Sequence, residues 1–317
     1  MKTQPKHLKP AIVSMLLTVS GMAYSNDETI TIIVNDPSNP FWFTEGHTAQ
    51  IKAEELGYTT EVKAHQGSIE NERQIIEQAI KNKSKAIILD PANTELTGKS
   101  VSLAKHNNIP VIIINAQIAA TGLAHSQLVS DNTQCARLAA KSWSNAMKYS
   151  GEYIELVGAS SDKNAAIRSA AFGSVLNSHT KLKRIATISA DWSRLKSYQA
   201  IQQQIVAHPN LSGIISSNDE MALGAIQALQ EAQKLDQVVV SGFDGSPDAA
   251  TSILLDEMHF SVLQPVTTFA KEAVIQADNI IRNGSTGQNT EIQLFDCTLL
   301  SQDNVHLYQS AFELSTQ

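Results

Sequence analysis

The chain has 317 residues, with 24 Lys and Arg against 31 Asp and Glu and a formal charge of −7. An acidic chain with no visible cluster of Lys and Arg lacks what phosphate contacts require, which excludes nucleic acid as a partner. Cys135 and Cys297 are too few for a disulfide framework; they could pair in an oxidising compartment or stand as two buried thiols, and both readings stay open.

Residues 1–25 read as a secretory signal peptide. Lys2, Lys6 and Lys9 form a positive start, 11–22 is mostly apolar, and Ala23 and Ser25 put small residues at the −3 and −1 positions before Asn26. The apolar run is too short for a membrane span, and no later run of about 18 apolar residues follows. Removing three lysines and no acid leaves 292 residues with a charge of −10. That length suffices for two separate cores.

From there the pattern alternates strand and helix to the end. Strands are predicted over 29–35, 59–65, 85–90, 110–115 and 128–130, then over 152–158, 184–190, 213–217, 238–243 and 260–264. Helical spacing of apolar residues lies between most of them, for example over 73–80 and over 195–207, the latter ended by Pro209. Gly57 reads as a helix stop before the second strand. Such alternation predicts an α/β protein with parallel sheets and right-handed crossovers. Ten strands divide best into two doubly wound, Rossmann-like lobes, with a boundary near Ser130-Asp131-Asn132.

In open parallel sheets ligands sit beyond the carboxyl ends of the strands. Four segments fall there. Val238-Val239-Val240 runs into Ser241-Gly242-Phe243-Asp244-Gly245, with Ser246 and Pro247 as cap and first residue of the next helix. Asp244 is a bare acceptor suited to a hydroxyl-rich ligand, or alternatively a cap for that helix; this stretch supports both readings. The other segments are Asn35-Asp36-Pro37-Ser38-Asn39-Pro40-Phe41-Trp42, Ala190-Asp191-Trp192 and Ser217-Asn218-Asp219-Glu220-Met221. Asn39 and Asn218 can donate and accept. Asp219 alone reads as a helix cap, and Trp42 or Trp192 alone as core. Aromatics at two separate strand ends, among Asn and Asp, are hard to explain as packing.

Taken in order, Asn39-Pro40-Phe41-Trp42, Ser130-Asp131-Asn132, Arg168-Ser169-Ala170-Ala171-Phe172, Ala190-Asp191-Trp192, the Asn218 to Ala225 block, Gly242-Phe243-Asp244-Gly245 and Leu263-Gln264-Pro265 resemble a periplasmic sugar-binding protein of the ribose-binding family. The likeness spans residues 29 to about 300. It implies a type I periplasmic binding protein, two lobes joined by a three-strand hinge, with 26–130 plus 265–294 in one lobe and 131–264 plus 295–317 in the other. It also implies a periplasmic, monomeric protein that closes on a neutral sugar or polyol and delivers it to an ABC-type permease. The ligand set it implies is Asn35, Asn39, Phe41, Trp42, Asp90, Asn115, Arg168, Trp192, Asn218, Asp244 and Gln264. One position departs from the family: where ribose binders place an Asp-Arg pair, this chain has Asn115-Ala116. A bidentate clamp is lost and Ala116 is expected to leave space, so the ligand is expected to differ from ribose.

Other chemistry finds little footing. The histidines show no paired spacing for a metal, and no Gly-x-Ser-x-Gly turn, phosphate loop or dinucleotide glycine fingerprint occurs. No cofactor is expected. An exported enzyme acting on a sugar would need Asp90 and Asp244 as a carboxylate pair, and is the weakest of three readings. Between uptake receptor and its alternative, a sensory receptor docking on a chemoreceptor or sensor kinase, the exposed lobe surfaces would decide. Repressors that share the fold need an N-terminal helix-turn-helix where this chain has its leader.

Overall fold

The computed structural model describes residues 28–310 and 312–315; the leader predicted over 1–25 lies outside them. The first sheet is built from β1 (Thr29–Val34), β2 (Thr59–Ala64), β3 (Ala86–Leu89), β4 (Val111–Ile114) and β5 (Ser126–Ser130), separated by α1 (Pro40–Glu55), α2 (Ile69–Lys81) and α3 (Thr97–His106). The second follows with α4 (Asn132–Ala146), β6 (Gly151–Val157), α5 (Lys163–Leu176), β7 (Leu182–Ser189), α6 (Arg194–Ala207), β8 (Leu211–Ser216), α7 (Asp219–Glu231), β9 (Val239–Ser241), α8 (Pro247–Leu254) and β10 (Phe260–Leu263). The chain closes with α9 (Val266–Asn283), β11 (Ile292–Phe295), β12 (Thr298–Ser301), β13 (Tyr308–Ser310) and β14 (Glu313–Leu314).

The strand orders are β11-β5-β4-β3-β1-β2 and β12-β10-β9-β8-β6-β7, each reversing direction of winding at its first strand. Pairing within the sheets is parallel except between β10 and β12. The inner strands β3, β4 and β5 are buried along their whole length, because helices cover both faces. The edge strands β2 and β7 carry exposed polar positions instead. In the second sheet Trp143 of α4 is fully buried; its indole donates to Ile214 O at 3.2 Å. Gly213 makes that possible, since a Cβ there would sit 2.4 Å from the indole ring.

The chain passes between the sheets after β5, returns after β10, and passes again between β11 and β12. Cys135 on α4 and Cys297 in the last crossing form a disulfide, with Cα atoms 5.3 Å apart. That resolves the choice the sequence left open. β11 and β12 were not among the predicted strands. They are four residues each and partly exposed, too short to show a period.

Candidate functional site

The cleft is made from helix caps. Where a parallel strand ends, the next helix starts with a residue whose side chain satisfies the first free amides, and these starts face the gap between the sheets. Asn39 caps α1, its Oδ1 accepting from Phe41 N–H at 2.9 Å, with Pro40 in the first turn. Asp162 caps α5 through Asn164 N–H at 2.8 Å, and Asn218 caps α7 through Met221 N–H at 3.0 Å. Asp219, read from sequence as a cap, is instead a buttress. Its carboxylate accepts from Ser246 N–H at 2.7 Å and from Ser261 Oγ at 2.6 Å. It therefore props the loop that carries Asp244, and Gly242 gives it room, since a Cβ there would lie 2.1 Å from Oδ1.

Asp244 does not cap α8; Ser246 does, accepting from Ala249 N–H. The Asp244 N–H donates to Val262 O at 2.8 Å and its carbonyl accepts from Gln264 N–H at 3.0 Å, which fixes the two side chains next to each other. Gln264 Nε2 then donates to Asp244 Oδ1 at 2.7 Å. Arg168 completes the group. It donates to Asn132 Oδ1 at 2.7 Å, Ser217 O at 2.7 Å and Gln264 Oε1 at 3.2 Å, and its Nη1 lies 3.9 Å from Asp244 Oδ1. The guanidinium lies 3.8 Å from the centroid of the Phe243 ring and 5.5 Å from that of Trp192. Three of its five N–H groups are thus used within the protein, leaving one on each terminal nitrogen.

Arg168, Asp244 and Gln264 line a small inner chamber together with Asn39, Phe41, Trp42, Asn115, Trp192 and Asn218. The remaining members of the predicted set, Asn35 and Asp90, do not reach it. They line an outer cavity of about 280 Å³ beyond Trp42, Asn115, Asp162 and Trp192, which border both chambers. The sequence missed two lining residues, Asp162 and Asn164. Their signal was present: Ser-Ser-Asp just after a strand is the same cap pattern that singled out Asn39 and Asn218.

Two expectations are corrected. Phe41 is buried rather than exposed, packed against Phe269 and edge-on to Phe312 at 5.7 Å while it also lines the inner chamber; the exposed ring is Phe43. Ala116 is buried and lines neither chamber, so the space expected from it does not open into the cleft. Its N–H folds back to Ile114 O at 2.7 Å, turning its side chain's neighbour, Asn115, to the ligand side.

Backbone strain concentrates here. Asn115, Asp191, Trp192 and Asp244 all have positive φ (63°, 50°, 64° and 134°), a region non-glycine residues avoid. Gly158 admits the Trp192 ring, which would otherwise lie 2.0 Å from a Cβ. The indole N–H of Trp192 is buried without a protein partner, and a buried donor left open in this way calls for an acceptor from outside the chain; the Trp42 indole lies against the Asp90 carboxyl.

The electrostatics match a neutral ligand. Burial raises the Asp244 carboxyl, as does nearby Asp219, against the pull of Arg168. Burial and then Asp162 raise Asp90, against the Asn115 amide that donates to it at 3.2 Å. Burial pushes Asp219 up to about 6. Glu45, one turn into α1, is fully buried with both oxygens unbonded and is raised by burial and by Asp90, which holds it as the neutral acid. The lobes touch directly across the gap: Thr94 N–H donates to Ser161 O at 3.0 Å, Lys163 N–H to Thr94 Oγ1 at 2.9 Å, and Asn164 Nδ2 to Asn115 O at 3.2 Å.

Two α/β lobes, three crossings and a closed cleft lined from both sides define a solute-binding protein of type I architecture. The chain belongs to the periplasmic binding protein family: the family model for the periplasmic binding protein domain matches residues 30–285. It is 41% identical over 300 residues to the D-apiose import binding protein of Actinobacillus succinogenes, covering 94% of this chain and 96% of that one. It is 31% identical over 270 residues to the ribose import binding protein RbsB of Escherichia coli, covering 85% and 90%. An ABC transporter solute binding protein from Bacillus halodurans with bound myo-inositol shares the fold, with a TM-score of 0.83, 20% identity, and coverage of 90% and 98%.

Proposed function

We propose that the protein captures one neutral sugar or polyol between its lobes and passes it, chemically unchanged, to an ABC-type permease in the membrane. The observation that carries this is the inner chamber itself. A guanidinium with open N–H groups, a buried carboxylate and amides from both lobes surround one space between the lobes, and indoles stand at its border. Aromatic faces suit the C–H faces of a sugar ring, and the polar groups suit its hydroxyls. Among neutral sugars D-apiose is the first candidate, since the protein named for its import shares 41% of residues with this chain.

The same reading extends to the whole chain. Residues 1–25 are a cleavable leader that directs export to the periplasm. Residues 26–130 with 265–294 and residues 131–264 with 295–317 move as two bodies about the three crossings. Both walls of the site come from one chain, which supports a monomer. A thermal-shift screen of D-apiose, D-ribose, D-allose and myo-inositol tests the proposal, because a ligand at 100 times its dissociation constant adds about 2.7 kcal/mol. A clear rise in melting temperature with at least one sugar is expected. No shift with any pentose, hexose or polyol would overturn it.

A further inference from the structure

The outer chamber is not needed to hold a single ring, yet it is built. The lobes already meet at Thr94 and Asn164, but between the ends of β1, β2 and β3 on one side and β6 and β7 on the other they leave a cavity of about 280 Å³. The lining is polar and part of its hydrogen-bonding capacity is open. The side-chain amides of Asn35 and Gln66 have no partner among the described residues, while the Asp90 carboxyl is shared between the Asn115 amide and the Trp42 indole. Opposite them, Lys196 is held by Asp191 at 2.6 Å. Gln66, like Asp191, is kept at positive φ (53°), with Gly67 beside it at 72°. Strained turns thus hold amide groups toward an open space, on both sides of which a tryptophan leads into the inner chamber.

We propose that this outer chamber is a second sugar position, so that the protein takes glycosides or disaccharides, the terminal ring in the inner chamber and a second neutral, polyhydroxylated unit between Gln66 and Lys196. It presupposes the sugar site of the inner chamber. Neutral hydroxyls fit because the free groups are amides, which donate and accept, while the one lysine is already neutralised. Anionic substituents fit poorly among Asp36, Asp90 and Asp162, which also line the space.

The test is titration calorimetry on the mature chain with D-apiose, its two methyl glycosides, and a disaccharide in which it is linked to glucose. The disaccharide and at least one methyl glycoside are expected to bind within tenfold of D-apiose. Gln66→Ala should weaken the disaccharide at least fivefold, and Gln66→Trp, which fills the space, at least tenfold. Both should leave D-apiose binding unchanged, which also shows that the variants are folded. D-apiose bound while all three derivatives lose more than a hundredfold would overturn the second position alone. So would disaccharide binding indifferent to both variants. Binding of none of the four probes would remove the sugar site on which the proposal stands.

Discussion

Asp244→Ala removes the acceptor around which the second lobe's polar groups are arranged. Gln264 Nε2 loses its 2.7 Å partner, and Arg168, only 3% exposed, loses the carboxylate 3.9 Å away. A ligand hydroxyl donating to Asp244 makes a charge-assisted bond of about 1.5–3 kcal/mol, so its loss weakens sugar binding about ten- to 150-fold at 1.4 kcal/mol per decade. Stability responds less. Breaking a buried ion pair costs about 3–5 kcal/mol, but here burial and Asp219 already disfavour the ionised carboxyl, and both penalties vanish with it. Asp244→Asn keeps an oxygen for Gln264 and should lie between wild type and Asp244→Ala. Because the empty site raises the Asp244 pKa and donated hydroxyls favour its ionised form, sugar affinity rises with pH through that titration and binding releases protons. Titration calorimetry in buffers of different ionisation enthalpy reads both quantities. Unchanged affinity in Asp244→Ala, with wild-type folding, would refute the placement of Asp244 in the site.

Reducing the disulfide should destabilise the protein. Cys135 and Cys297 are 162 residues apart, for which the chain-entropy model gives about 5 kcal/mol. A fall of several degrees in melting temperature is expected on adding dithiothreitol, and equal melting of reduced and oxidised protein would contradict it. His65 sets an acid limit. Its Nδ1 accepts from Gly67 N–H at 3.0 Å, so Nε2–H donates to Asp90 O at 2.9 Å, and burial lowers its pKa to about 4. The unfolded value is about 6.5. His65 therefore contributes stability that is present above pH 6.5 and is lost as pH falls toward 4, by up to about 3 kcal/mol. Denaturant unfolding should show the gap between wild type and His65→Gln narrowing over that range; a constant gap would count against the assignment.

Much of this was legible from sequence because the cleft is made by local rules. A strand predicted by its β-branched run, followed by a capping residue and a helix, locates a cleft residue without any tertiary information, as at Asn39 and Asn218. Less legible was anything set by the distance between elements. Phe41 and Trp42 are adjacent, yet helix geometry turns Phe41 onto Phe269 and Phe312 from distant parts of the chain. Asp219 looked like a cap because it opens a helix; its partners, Ser246 and Ser261, lie 27 and 42 residues on. Asn35 and Asp90 end their strands as expected, but β1 and β3 stop where the two tryptophans divide the cleft. That division arises only when both lobes are assembled. The disulfide was undecidable from spacing for the same reason.

The most direct measurement is a crystal structure of the mature protein with D-apiose. One sugar ring is expected in the inner chamber beside Trp42 and Trp192, with its hydroxyls on Asp244, Arg168 and Asn39. An empty chamber at saturating sugar, or a ring bound away from Asp244 and both tryptophans, would contradict the account.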